Sequence, residues 1–195
     1  LLKKLGAMGL GTPLIYGGGI ASVEDGIAVV QAGADRIALD SLLHDAPDVL
    51  ERLGQQLGLQ ALVAVATLGH TADGARWHDY RTGRNQPLSE LSRVLQRRLA
   101  SELLVIDVDH EGEPAAFNVG LLDTLHNCKM PILAFGGISE VRQMHALLAR
   151  PDVAAIGIGN FLSYHELAIQ QYKKALAGSV LRPPRYAADH PQTTP

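Results

Sequence analysis

The sequence predicts an α/β fold of the barrel type, with parallel strands joined by helical crossovers. Three observations carry that expectation. Short Val-, Ile- and Leu-rich runs alternate with helix-like segments along most of the chain. The runs are continuously apolar, as in ALVAVA at 61–66, which points to strands covered on both faces. Finally, one strand–helix–strand unit occurs twice. PLIYGGGI at 13–20 is matched by PILAFGGI at 131–138, and the next strands, DRIALDS at 35–41 and AAIGIGN at 154–160, match after a one-residue shift. The copies lie about half a barrel apart for a fold of ~250 residues. A doubly wound sheet gives no reason for that interval, whereas a barrel of two similar halves does.

The elements can be read in order. Residues 1–8 look like the end of a helix, and the chain starts at Leu1, so an amino-terminally incomplete barrel is expected. Strands are expected near 13–17, 35–40, 61–67, 102–108, 131–135 and 153–158. Helices are expected near 22–32, 46–58, 88–100, 118–127, 139–149 and 164–177. HTADGARWHDYRTGRNQ at 70–86 reads as a long polar loop, and loops of that length usually carry function or are disordered. The barrel portion should occupy 1–177. From 178 to 195, RPPRY and HPQTTP lack apolar periodicity, and a loose tail is expected.

Composition excludes several classes. The chain has 195 residues, enough for one sizeable domain, and 47% are hydrophobic, enough for a real core. The net charge is −3 and no Lys/Arg run exists, which argues against a nucleic-acid partner. Cys128 is the sole cysteine, so there is no disulfide framework and no Cys-based zinc site. A lone cysteine fits a reducing compartment. No apolar run reaches the ~18 residues of a membrane span, so no membrane partner and a cytoplasmic location are expected. His70, His78, His110 and His165 show no shared ligand spacing, so neither a metal nor another cofactor is expected.

The repeated glycines point to chemistry. Ligands of such barrels sit over the carboxyl ends of the strands. Glycine there lets main-chain N–H groups approach a ligand, and phosphate is the natural guest. Two copies across one mouth imply two phosphate grips and an elongated substrate with a phosphate at each end. The first grip would use Gly18, Gly19 and Ser41, and the second Gly136, Gly137, Gly159 and Asn160. The sixth run ends in IDVDHEG, where a two-residue period puts Asp107 and Asp109 on one face. Trp77 and Tyr80 either cover a ring substrate or pack their loop.

These motifs resemble a known family, the cyclase subunit of imidazole glycerol phosphate synthase (the HisF group). The likeness runs through YGGGI followed by SVED, GADRIALDS, QALVAVA, SELLVIDVDHEG, PILAFGGI and FLSYHELAIQQYKKAL, up to about residue 176. It implies a (β/α)8 TIM barrel lacking its first two βα units, with six parallel strands matching strands three to eight. It implies a cyclase that uses ammonia from a glutaminase partner on a bisphosphorylated nucleotide precursor in histidine biosynthesis. It also places Arg36 and Glu102 on two positions of a charged ammonia gate, and Asp35 and Gln60 where the family meets its glutaminase.

The departures are specific. The family's first catalytic aspartate lies on a strand absent here, and Thr67 stands at the position of the second. A threonine hydroxyl cannot act as a carboxylate base near neutral pH. Asp109 matches the first acid of the family's Asp-x-Asp-Gly pattern, with Glu111 replacing the second. These acids, with Asp107, are expected to hold substrate hydroxyls, and Asp109 is the remaining catalytic candidate. Asp40 replaces a neutral amide beside the first phosphate, so it must turn away, take a proton or signal a different ligand. The readings left open are a histidine-pathway cyclase, a paralogue that works with a glutaminase to form an acetamidino group on a surface-polysaccharide sugar, and a non-catalytic barrel partner.

Overall fold

A computed structural model describes residues 1–164, 167–179 and 181. Six parallel strands form one sheet in the order β1 (Ile15–Gly17), β2 (Arg36–Leu39), β3 (Leu62–Thr71), β6 (Glu102–Asp107), β7 (Ile132–Phe135), β8 (Val153–Ile156). Among the described strands β1 pairs only with β2, and β8 only with β7. This is a partial (β/α)8 barrel with two unjoined edges, as expected. Each parallel neighbour is reached by a crossover that contains a helix, since parallel pairing cannot be made by a tight turn.

The crossovers carry α2 (Val23–Gln31), α3 (Ser41–Asp45), α4 (Pro47–Leu57), α5 (Leu88–Leu95), α6 (Gly120–Asp123) and α7 (Val141–Leu148). Helix α1 (Leu2–Ala7) precedes the sheet and α8 (Ala168–Ala175) follows it. The starts of these helices have local causes. Ser22 and Asp25 form a reciprocal capping box at α2, and Pro47 opens α4 where a missing N–H costs nothing. Gly26 is buried because a Cβ there would lie 2.5 Å from Leu53 Cδ2 of α4.

The sheet sorts its side chains by period two. Ile37, Leu39, Leu62, Ala64, Ala66, Leu103, Val105, Ile132 and Ala134 enter one core with Leu50, Leu53, Leu91, Leu121, Met144 and Leu147 from the helices. Ala38, Val65, Thr67, Leu104 and Ile106 belong to the other face and line a cavity. Strand β3 is buried on both faces from Leu62 to Gly69, while β2 and β6 alternate buried with half-buried positions.

Five elements differ from expectation. The segment read as a polar loop at 70–86 is an antiparallel hairpin: β3 runs on to Thr71, β4 (Gly74–Asp79) pairs with it, and β5 (Arg84–Pro87) pairs with β4. Gly74 and Gly83, at φ +118° and +67°, turn the chain at either end of β4. Helix α6 covers only four residues of the span expected at 118–127, and α5 stops at Leu95. The helix expected at 164–177 is α8 at Ala168–Ala175, and a 3₁₀ turn, Asn160–Tyr164, lies ahead of it. Short α3 begins at Ser41, immediately after β2. No helix among the described residues is long and apolar enough to cross a membrane. Apart from three residues, the expected tail at 178–195 lies outside the described residues.

Candidate functional site

The first glycine turn opens onto a cavity of about 370 Å³ that runs along one face of β2, β3 and β6 to the carboxyl ends of β1 and β2. Gly18 and Gly19 have φ of +121° and +70°, and an added Cβ at either would meet nothing within 4 Å. Their glycine identity therefore answers to backbone conformation and leaves open space beside the main chain. Ser41, Asp40 and Thr67 complete the strand-end wall, and Tyr80 and Arg81 from the hairpin cover it.

The second turn is built differently. Gly136 and Gly137 also have positive φ, but a Cβ on Gly136 would lie 2.7 Å from the Asp107 carbonyl oxygen. On Gly137 it would lie 2.8 Å from the Phe117 nitrogen. Backbone from the segment after β6 fills this space, and Ala116 N–H donates to the Gly137 carbonyl at 3.0 Å. Gly157 and Gly159 make room for the Phe135 ring, at 2.8 and 3.1 Å from a notional Cβ. The remaining hollow, lined by Gly136, Gly137, Gly159, Asn160 and Glu111, holds about 40 Å³. The Tyr80 hydroxyl donates to Glu111 Oε2 at 3.0 Å, which ties the wall of the first cavity to that of the second. Burial and that bond push the phenol well above its usual pKa.

Thr67 is fully buried, and its hydroxyl donates to the His78 carbonyl of β4. Asp107 is buried too: Oδ2 accepts from the Asn118 N–H at 2.7 Å and pairs with His110 Nδ1 at 2.8 Å. Its Oδ1 has no hydrogen-bond partner among the described residues. Asp109 instead grips the hairpin, accepting from the His70 N–H at 2.6 Å and from Arg76 Nη2 at 2.6 Å. Burial alone would raise its pKa, but Arg76 and the His70 N–H outweigh it and hold the carboxyl below its ordinary value. Asn118 Nδ2 lies 3.2 Å from His70 Nδ1, so both aspartates join one polar network.

At the amino ends of the strands, Arg36 and Glu102 meet at 2.5 Å across β3. Arg36 also donates to the Gln60 carbonyl and to Ser101 Oγ. Asp35 accepts from the Leu14 N–H at 2.7 Å and so ties β2 to β1. Trp77 is a core residue stacked on His44, with ring centroids 3.8 Å apart, and Tyr80 alone of the two aromatic candidates lines the cavity. His165 lies outside the described residues, and no group of His, Cys, Asp and Glu among those described could hold a metal.

The fold agrees with comparison by sequence. A family model described as histidine biosynthesis protein matches residues 6–170. The chain belongs to this family. Its HisF-type relatives include the imidazole glycerol phosphate synthase subunit HisF of Trichormus variabilis, 29% identical over 84% of this chain and 66% of the relative. The same subunit from Nostoc sp. gives the same identity and coverage. That of Streptococcus gordonii is 31% identical over 87% of this chain and 69% of the relative. The chain spans about two thirds of the length of these relatives.

Sequence reasoning about this HisF-family chain missed Arg76, Arg81, His44 and Asn118. The Asp73-Gly74 pair, a strong hairpin signal, was the available clue to the first two. The Trp77 stack on His44 and the His70 contact of Asn118 join residues 33 and 48 apart, which no local pattern marks.

Proposed function

We propose that this protein acts as a HisF-like cyclase subunit, holding a phosphorylated small molecule at the carboxyl ends of its strands. It would use ammonia from a glutaminase partner on a bisphosphorylated nucleotide precursor in histidine biosynthesis. One observation carries the reading: the open cavity of about 370 Å³ beside Gly18 and Gly19, tied through Tyr80–Glu111 to the second glycine turn. Gly18, Gly19 and Ser41 would take one phosphate, and Gly136, Gly137, Gly159 and Asn160 the other. Asp107, Asp109 and Glu111 would order the substrate between them. Arg36 and Glu102 would gate ammonia at the opposite end of the strands. Residues 1–177 would form this unit, with 178–195 as an appended tail.

A second reading has its own support. Thr67 stands where the family carries an aspartate, and its hydroxyl is committed to His78. That favours a paralogue with a changed substrate, such as a surface-polysaccharide sugar receiving an acetamidino group. The test is to supply the purified protein with the precursor and ammonium chloride and to follow imidazole glycerol phosphate. Ammonia-dependent product that falls when Gly19 is replaced by Asp supports the cyclase. Tight precursor binding without product supports the paralogue, and absence of precursor binding overturns the phosphate reading.

A further inference from the structure

The wall of the open cavity carries a carboxylate with no Lys or Arg partner among the described residues. Asp40 follows β2 and lines the cavity beside Gly17, Gly18 and Gly19. Its Oδ1 is sealed from solvent without a hydrogen-bond partner among the described residues, 3.6 Å from Nε2 of buried His44. The Asp40 side chain is nonetheless 26% exposed, so its open surface lies away from Oδ1, toward the cavity. His44 is fixed in turn by its stack on Trp77, which holds the sealed side of Asp40 in place.

Three other polar side chains on this wall are already committed, which leaves the Ser41 hydroxyl beside Asp40. Arg81 is the one cationic side chain among the lining residues. It is held by Asp45 at 2.5 Å and by Asp79 at 3.1 Å. The Thr67 hydroxyl goes to His78 and the Tyr80 hydroxyl to Glu111.

We infer that Asp40 makes this cavity selective for a group that brings a hydrogen-bond donor with its negative charge: a phosphate that retains one proton, in preference to a fully deprotonated oxyanion such as sulfate. A carboxylate can only accept hydrogen bonds. A protonated phosphate oxygen donates one to it, whereas sulfate has no proton to give and meets it charge to charge. Repulsion between unit charges 4 Å apart is equivalent to about fivefold in affinity in water and about a thousandfold at an effective dielectric near 20. This inference rests on the phosphate reading above and adds the ionic form that is bound.

The test follows the amide resonances of Gly18 and Gly19 in the full chain during titration with inorganic phosphate and, separately, with sodium sulfate at matched ionic strength. The pH is set near 6, where inorganic phosphate keeps at least one proton and sulfate keeps none. The expected result is half-saturation by phosphate at a concentration at least about fivefold below that for sulfate. In Asp40→Asn, whose amide can donate, the two anions should agree within about twofold. Equal response of the unsubstituted protein to both anions, or an unchanged preference in D40N, overturns the inference and leaves the phosphate reading standing. Silence of both glycines to both anions overturns the phosphate reading and this inference with it. The comparison in the unsubstituted chain decides the matter even if D40N does not fold.

Discussion

Replacing Asp79 by Asn should loosen the hairpin that covers the cavity, and its cost can be worked from the structure. Asp79 ends β4 and is only 3% exposed. Oδ1 accepts from the Arg81 N–H at 3.0 Å and from Arg81 Nε at 3.2 Å. Oδ2 accepts from Arg81 Nη2 at 3.1 Å and Thr82 Oγ1 at 3.0 Å. Burial pushes this carboxyl's pKa up, but the four donors win and bring it from 3.8 down to about 2. A depressed folded-state pKa means stability that is fully present above the unfolded value and is lost as pH falls through the folded one. At 1.36 kcal/mol per unit, the ionised form contributes about 2 kcal/mol at neutral pH. Urea unfolding of D79N should therefore show a midpoint lower by about 1 M at pH 7, given a slope of ~1–3 kcal/mol/M. The curves of variant and parent should converge as pH falls from about 4 to about 2. A midpoint unchanged at pH 7, or a gap that persists undiminished at pH 2, would refute the assignment of this stability to the charged carboxylate.

Three further outcomes follow from the packing. Gly26→Ala gains about 1 kcal/mol of helix propensity but drives a Cβ to 2.5 Å from Leu53 Cδ2. Overpacking of that kind costs about 1–3 kcal/mol, so thermal melting should shift down, and a higher Tm would contradict the close α2–α4 contact. Thr67→Val should cost about 1–3 kcal/mol in urea unfolding by leaving the His78 carbonyl without its donor, and a neutral result would show that the hydroxyl is not committed there. Gly136→Ala should destabilise by at least about 2 kcal/mol more than Gly18→Ala. Both place a side chain at positive φ, costing about 1–3 kcal/mol, but only the first also meets the Asp107 carbonyl at 2.7 Å.

The strand–helix order was legible because burial on both faces forces long apolar runs, which residues such as Leu62, Ala64 and Ala66 display without interruption. The hairpin was not, because β4 and β5 are rich in Arg, His, Asn and Asp whose polar groups bond to one another. Arg76 with Asn85 and Asp109 is the example. A segment stabilised by such pairs has the composition of a loop. The same cause hid the roles of Asp107 and Asp109. A period of two was expected to put both on one side of a strand, but β6 ends at Asp107 and Asp109 lies in the turn beyond it, so one turns to Asn118 and His110 while the other crosses to Arg76. Arg36 and Glu102, 66 residues apart, could be paired from sequence only through family resemblance.

The two glycine turns show why a repeated motif does not carry a repeated role. Both put glycine at positive φ after a parallel strand, and both lead toward a helix. At Gly136 and Gly137, neighbouring backbone already occupies the space a side chain would need, so glycine is required there with or without a ligand. At Gly18 and Gly19 no atom of the described residues competes for that space. The case for an oxyanion is therefore unequal at the two turns, although the sequence presents them as equivalent. It rests on the first, where open main chain, Ser41 and Asp40 share one wall. A ligand reaching both turns must pass Tyr80 and Glu111, whose hydrogen bond spans the interval between them. Breaking that bond with Tyr80→Phe should thus weaken a two-ended phosphate ligand while leaving inorganic phosphate at the first turn unaffected.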